Sequence, residues 1–246
     1  MRNVLHQPTV EVTDDASVRR RPRAVAIGVF DGVHIGHAQV IAGCDTVLTF
    51  DPHPLQVLRP DDVPALLTTV PTKVARLAAL GVREVVVLRF DARWAAVAAP
   101  SFVDDLLVGR LGAHTVSVGA NFRFGAGGEG SGHVLRRDGR FRTRVTPLVR
   151  SAAGVVSSSR IRASLSSGDI GAVTRLLGRP HALTGRGAPG RSVVVDTGLA
   201  VPPAGRYRVL VNDVPTHAVV DDRGRITVDE QLRGRVELVL RCRVDR

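Results

Sequence analysis

Short apolar runs alternate with amphipathic stretches along the first two thirds of the chain. Ala24–Phe30, Thr46–Phe50, Glu84–Phe90 and Thr115–Gly119 are apolar or nearly so and read as buried strands. Between them lie helical patterns: a short candidate at Ala38–Ala42, then Thr72–Leu80 with Val74, Leu77 and Leu80 on one face and Gly81 as its stop. Pro100–Leu111 repeats the order of helix, glycine and strand. Strands alternating with helices predict an α/β domain with a parallel sheet covered on both faces. Ser159–Leu177 reads as one or two short helices interrupted at Gly168. After Pro180 the pattern changes to short β-type runs separated by Gly, Pro and Asp, a small C-terminal antiparallel β unit. The expected division is a polar N-terminal arm over 1–23, an α/β domain over 24–183 and the β unit over 184–246.

Composition narrows the class. The chain has 246 residues, 44% of them hydrophobic, enough to bury a core without disulfides or structural metals. Cys44 and Cys242 lie far apart with no CxxC pairing, which fits a reducing cytoplasm. No apolar run is long enough to span a bilayer, and the first 15 residues have no apolar signal core. The net charge of +11 invites a nucleic-acid reading, but only one of the 34 basic residues is a lysine, Lys73. Such a bias fits a GC-rich coding sequence, and the arginines are scattered apart from Arg19–Arg21 and Arg23. Aromatic residues make up 4% of the chain, leaving few rings to stack bases. The balance argues against nucleic acid and suits a phosphorylated small molecule.

Four segments carry candidate chemistry. Gly28-Val29-Phe30-Asp31-Gly32-Val33-His34-Ile35-Gly36-His37 follows the first strand and precedes a helix, where an α/β sheet binds ligands. Its glycines let backbone approach phosphate, and two histidines three apart can aim N–H donors at one anion. Ser157, Ser158 and Ser159 precede Arg160 and Arg162; a helix cap accounts for one serine, and phosphate binding accounts for the arginines in the first turn. Phe50 and His53 end the second strand, and Asn121 and Phe122 follow the fourth; each pair alone fits an ordinary strand-end turn.

Together, and in this order, these segments resemble the bacterial bifunctional FAD synthetases. The match runs from about Ala24 to Gly185 and includes Arg89-Phe90-Asp91, Pro100–Val103 and Leu176–Pro180. The resemblance implies a Rossmann-like HxGH nucleotidyltransferase domain that transfers AMP from ATP to FMN, giving FAD and pyrophosphate, with Mg²⁺ on the ATP oxygens and no protein metal site. It implies catalytic roles for His34, His37 and Arg162. ATP would be bound by Gly28, Phe30, Asp31, Gly32, Gly36, Ser157, Ser158 and Ser159, and Phe50, His53, Asn121 and Phe122 would line the flavin and nucleotide site. Alternatives are nucleotidyl transfer to another phosphorylated acceptor, or a non-catalytic flavin- or nucleotide-binding protein. His34-Ile35-Gly36-His37 also spells the HIGH motif of class I aminoacyl-tRNA synthetases, but their Lys-Met-Ser-Lys-Ser partner is missing.

Two departures from the family stand out. It places a long helix after HxGH, whereas only Ala38–Asp45 separates His37 from the second strand, about two turns. The region matching the family's Gly-x-Pro-Thr-Ala-Asn kinase segment, Arg186–Asp196, has no Pro-Thr-Ala-Asn. Residues 184–246 are accordingly expected to be a degenerate riboflavin-kinase-like β-barrel remnant, ending before the kinase's terminal helix and without kinase activity. Pro202–Tyr207 still resembles the family's Pro-x-x-Gly-x-Tyr turn.

Overall fold

The predicted strands keep a period-two alternation, and each face of the sheet has its own cover. In the computed structural model, which describes residues 10–151 and 154–244, the sheet strands are β1 Glu11–Asp14, β2 Arg23–Ile27, β3 Thr46–Asp51, β4 Glu84–Arg89, β5 Ala113–Gly119 and β6 Arg142–Thr146. They lie in the order β1-β4-β3-β2-β5-β6, every neighbouring pair parallel. Val25, Ile27, Leu48, Phe50, Val86 and Leu88 face one side and pack with Phe102, Leu106 and Leu107. Ala26, Val47 and Val85 face the other and pack with Val40, Ile41 and Leu77. The expected two-faced burial is therefore present residue by residue.

Two strands and one helix type escape the pattern. β1 lies within the segment expected as a polar arm, whose residues 1–9 fall outside the described part. Both β1 and β6 are edge strands, where polar side chains are tolerated and apolar runs are not needed. The longer helices include α1 Ile35–Ile41 and α2 Val70–Ala78, with a π-helix over Phe102–Arg110 in place of the ordinary helix expected there. α3, Gly132–Asp138, precedes β6.

The described residues pack as two compact units, one from 10–64 with 70–149 and one from 65–69 with 150–151 and 154–244. The second contains α4 Ser158–Ser166 and α5 Ile170–Leu177, capped by Ser157 and Asp169. It also contains six strands: β7 Ala182–Ala188, β8 Ser192–Val195, β9 Gly205–Val211, β10 Val214–Val220, β11 Ile226–Val228 and β12 Arg235–Val244. These close into an antiparallel barrel in the order β7-β8-β11-β10-β9-β12. The antiparallel unit expected from the sequence is thus a closed barrel with no free edge. Among the described residues, no helix is long and apolar enough to cross a membrane.

At the N-terminal edge of the first unit's sheet sits a buried ion pair. Arg23 at the start of β2 donates from Nε and Nη2 to Glu84 at the start of β4 (2.6 and 2.9 Å) and from Nη1 to the Leu111 carbonyl (2.8 Å). Arg21 and Thr46 complete the carboxylate's partners. Burial alone would raise the Glu84 pKa, but the bonds and charges of Arg23 and Arg21, with Thr46, hold it below the usual glutamate value. Part of the one dense arginine cluster therefore serves the fold.

Candidate active site

The opposite, C-terminal edge carries the glycine- and histidine-containing loop and Asn121. Strand order reverses direction at β2, whose neighbours are β3, next in the chain, and β5, which comes later. That is the switch point where open α/β sheets bind ligands. Gly28–His37 leaves β2 here, and Asn121 follows β5.

The loop is tight because a ring lies across it. A Cβ on Gly28 would meet the Phe30 ring at 3.0 Å, so only glycine passes beneath it without displacement. Phe30 and Val33 have φ of 52° and 43°, a region that L residues and above all β-branched ones avoid. Both are almost fully buried in the core beside α1, which holds them there. Such strain is characteristic of functional loops.

The two histidines cap their own helix. His34 is the N-cap of α1; its Nδ1 accepts from the His37 backbone N–H at 3.1 Å, and the His37 Nδ1 accepts from the His34 N–H at 3.3 Å. The rings stack with centroids 3.5 Å apart, and Phe30 meets the His37 ring edge-on. A ring nitrogen that accepts from a backbone amide carries no proton in the neutral ring. Both imidazoles are therefore assigned the Nε2–H tautomer, each with a donor on the nitrogen away from the cap. This reciprocal cap also explains why α1 begins at Ile35 rather than at Ala38.

The rest of α1 is short, and Arg144 of β6 closes it. Its Nη2 donates to the carbonyls of Val40 (2.8 Å) and Ala42, and its Nε donates to Ser117 Oγ at 3.1 Å. Ser117 Oγ in turn donates to Val40 at 2.6 Å. A cation at this end satisfies carbonyls that further turns of helix would have bonded and suits the helix dipole.

The other predicted residues divide as follows. Asp31 and Gly32 are buried in the loop, while Gly36 is half-buried on α1. His53 Nδ1 accepts from the Leu55 amide, which orients its ring beyond the end of β3. Phe50 is 8% exposed and packs edge-on against Phe90, so its ring is part of the core beneath the edge. Asn121 is exposed, and its Oδ1 covers Gly119 beside Val40 of α1. Phe122 stacks on Phe124. In the second unit, Ser157 caps α4 through the Arg160 amide, Arg162 Nε donates to the Ala65 carbonyl at 2.7 Å, and Ser158 and Ser159 occupy the first turn.

The residues matching the family's kinase segment form the β7–β8 hairpin. Asp196 at its end accepts from Thr184 and from both terminal nitrogens of Arg235. A Cβ on Gly187 would lie 2.5 Å from the Leu232 backbone, so the chain passes directly over this strand. Leu183, Val193, Tyr207, Val209, Ala218, Ile226 and Leu238 are buried within the unit.

A parallel sheet with a strained glycine loop, a histidine-capped helix and a polar residue across the switch point defines an α/β domain of the HxGH nucleotidyltransferase class. The comparisons make this specific. The FAD synthetase family model matches residues 17–160, and the chain belongs to that family. It is 37% identical over 175 residues to the bifunctional riboflavin kinase/FMN adenylyltransferase of Escherichia coli strain K12, covering 66% of this chain and 56% of that protein. The protein of the same description from Listeria monocytogenes is 33% identical over 231 residues, covering 83% and 71%. The chain thus spans little more than half the length of the first of these relatives. A crystal structure described as a macrolide-efflux protein from Streptococcus pneumoniae shares the fold, with a TM-score of 0.84, 21% identity and coverage of 96% of this chain and 100% of that one.

Proposed function

We propose that the chain transfers AMP from ATP to FMN, releasing pyrophosphate and FAD. The observation that carries this reading is the reciprocal His34–His37 cap, which turns both Nδ1 atoms onto the first turn of the helix that starts at the switch point and so fixes the direction of both Nε2–H groups. Those donors suit the oxygens of the ATP α-phosphoryl group, where charge builds as the bond to the departing pyrophosphate breaks. The FMN phosphate oxygen forms the new bond to that phosphorus, so no covalent protein intermediate is needed. Gly28, Phe30, Asp31, Gly32 and Gly36 shape the phosphate loop, and Asn121, His53, Phe50 and Phe122 form or underlie the flavin and nucleotide contacts. Ser157, Ser158, Ser159 and Arg162 serve the triphosphate. ATP enters as its Mg²⁺ complex, with the ion on phosphate oxygens. We assign no riboflavin kinase activity, a reading supported by the missing Pro-Thr-Ala-Asn. The reaction is assigned to the cytoplasm, in keeping with two free cysteines, Cys44 and Cys242.

The test is chromatography of the protein with Mg-ATP and either FMN or riboflavin. FAD from FMN and no product from riboflavin is the expected outcome; FMN formed from riboflavin would restore the kinase. His37→Ala should lower turnover by roughly a hundredfold or more, through loss of a transition-state donor. Unchanged turnover in the folded variant would remove that histidine from the mechanism.

A further inference from the structure

The chain uses arginine at every basic position but one, and the exception is buried. Lys73 on α2 is 5% exposed and contributes to the sheet's C-terminal edge, not to the surface. Its Nζ donates to Thr49 Oγ1 of β3 at 3.2 Å, and Thr49 Oγ1 donates to the Val29 carbonyl at 3.0 Å. The relay thus ends on the residue before the strained Phe30. Burial pushes the Lys73 pKa below its ordinary value, while the carboxylates of Asp31 and Asp51 act to keep it charged. An ammonium is a compact point charge, whereas a guanidinium is a wide planar fork that needs several acceptors in one plane.

We propose that Lys73 is a positioning residue of the nucleotide site, which holds the Val29–Asp31 loop through Thr49 and offsets the Asp31 and Asp51 charges beneath the ATP phosphates. This rests on the nucleotidyltransferase reading above. Carboxylate charge under the loop opposes a triphosphate, and a buried ammonium beside it acts in the opposite sense.

Titration calorimetry with Mg-ATP alone, joined to FAD-formation kinetics, tests the assignment. Lys73→Met keeps the side chain's length and removes its charge. It should weaken Mg-ATP binding about tenfold, equivalent to about 1.4 kcal/mol, with turnover reduced as well. Adding Asp31→Asn to that variant should recover part of the affinity, because the repelling charge is gone; a purely structural lysine predicts no such recovery. Asp31→Asn alone, with Lys73 present, should bind Mg-ATP more tightly than the wild type, which keeps the test decisive if Lys73→Met fails to fold. Wild-type affinity in folded Lys73→Met, no recovery in the double variant, or unchanged or weaker binding by Asp31→Asn would overturn the proposal. Wild-type protein that binds Mg-ATP but makes no FAD would remove the FMN assignment and leave the Lys73 comparison intact. Wild-type protein that does not bind Mg-ATP would overturn both.

Discussion

Gly28 shows how one atom at the sheet's C-terminal edge governs the placement of the histidine proposed to act on phosphate. The Phe30 ring lies over Gly28 and supports His37, so a methyl group at Gly28 has to move the ring and, with it, the imidazole. Gly28→Ala should lower FAD formation roughly tenfold to a hundredfold, as expected for a reacting group displaced by a fraction of an ångström to 1 Å. Its melting temperature should change little, and paired kinetics and thermal melts check this. The motif containing Gly28, His34 and His37 was legible because glycines and histidines at that spacing after a strand have few other uses. The reciprocal cap was not, since it depends on both rings turning back onto the first turn of their own helix. Lys73 was legible only as a compositional oddity; its bond to Thr49 and the charges of Asp31 and Asp51 that act on it come from segments separated in sequence.

For the elements, the informative case is α1, short by comparison with the helix expected of the family. The sequence exposes the shortening but not its remedy, the Arg144 guanidinium closing the last carbonyls from β6. Arg144→Leu removes the charged donor from the Val40 and Ala42 carbonyls and should cost about 2 kcal/mol, lowering the melting temperature and turnover together. Arg144→Lys should restore only part of both, because one ammonium cannot reproduce the fork. Comparing the melts and FAD-formation rates of the two variants tests the assignment. The strand bearing Arg144 was missed for a physical reason: Arg142–Thr146 is polar and half-exposed at a sheet edge, so it has no apolar run to reveal it. The apolar pattern of Phe102–Arg110 fits an ordinary helix and does not reveal the i→i+5 bonding of the π-helix.

Across the whole molecule, the arginine surplus is partly internal. Arg23, Arg144 and Arg235 each bond protein groups, and the net charge overstates what is offered to a polyanion. The Arg23–Glu84 pair also gives the first unit a pH dependence. Because the Glu84 pKa is depressed on folding, its stabilisation is complete above the unfolded glutamate value and is lost as pH falls through the folded one. Urea unfolding at a series of acidic pH values, followed by Trp94 fluorescence in that unit, should show this loss. Glu84→Gln, which leaves Arg23 buried without its counter-charge, should lower stability near neutral pH by about 3 kcal/mol and flatten the acid limb. An unchanged limb would show that other carboxylates govern it. By itself, the sequence determined the parallel sheet, the loop at its ligand edge and the β-rich C-terminal part, because period-two burial, glycine turns and histidine spacing are local properties of the chain. Only the tertiary structure decided the sheet's polar edge strands, the closure of the barrel, the capping of the shortened helix and the placement of the sole lysine, because each depends on groups far apart in sequence meeting where water is excluded.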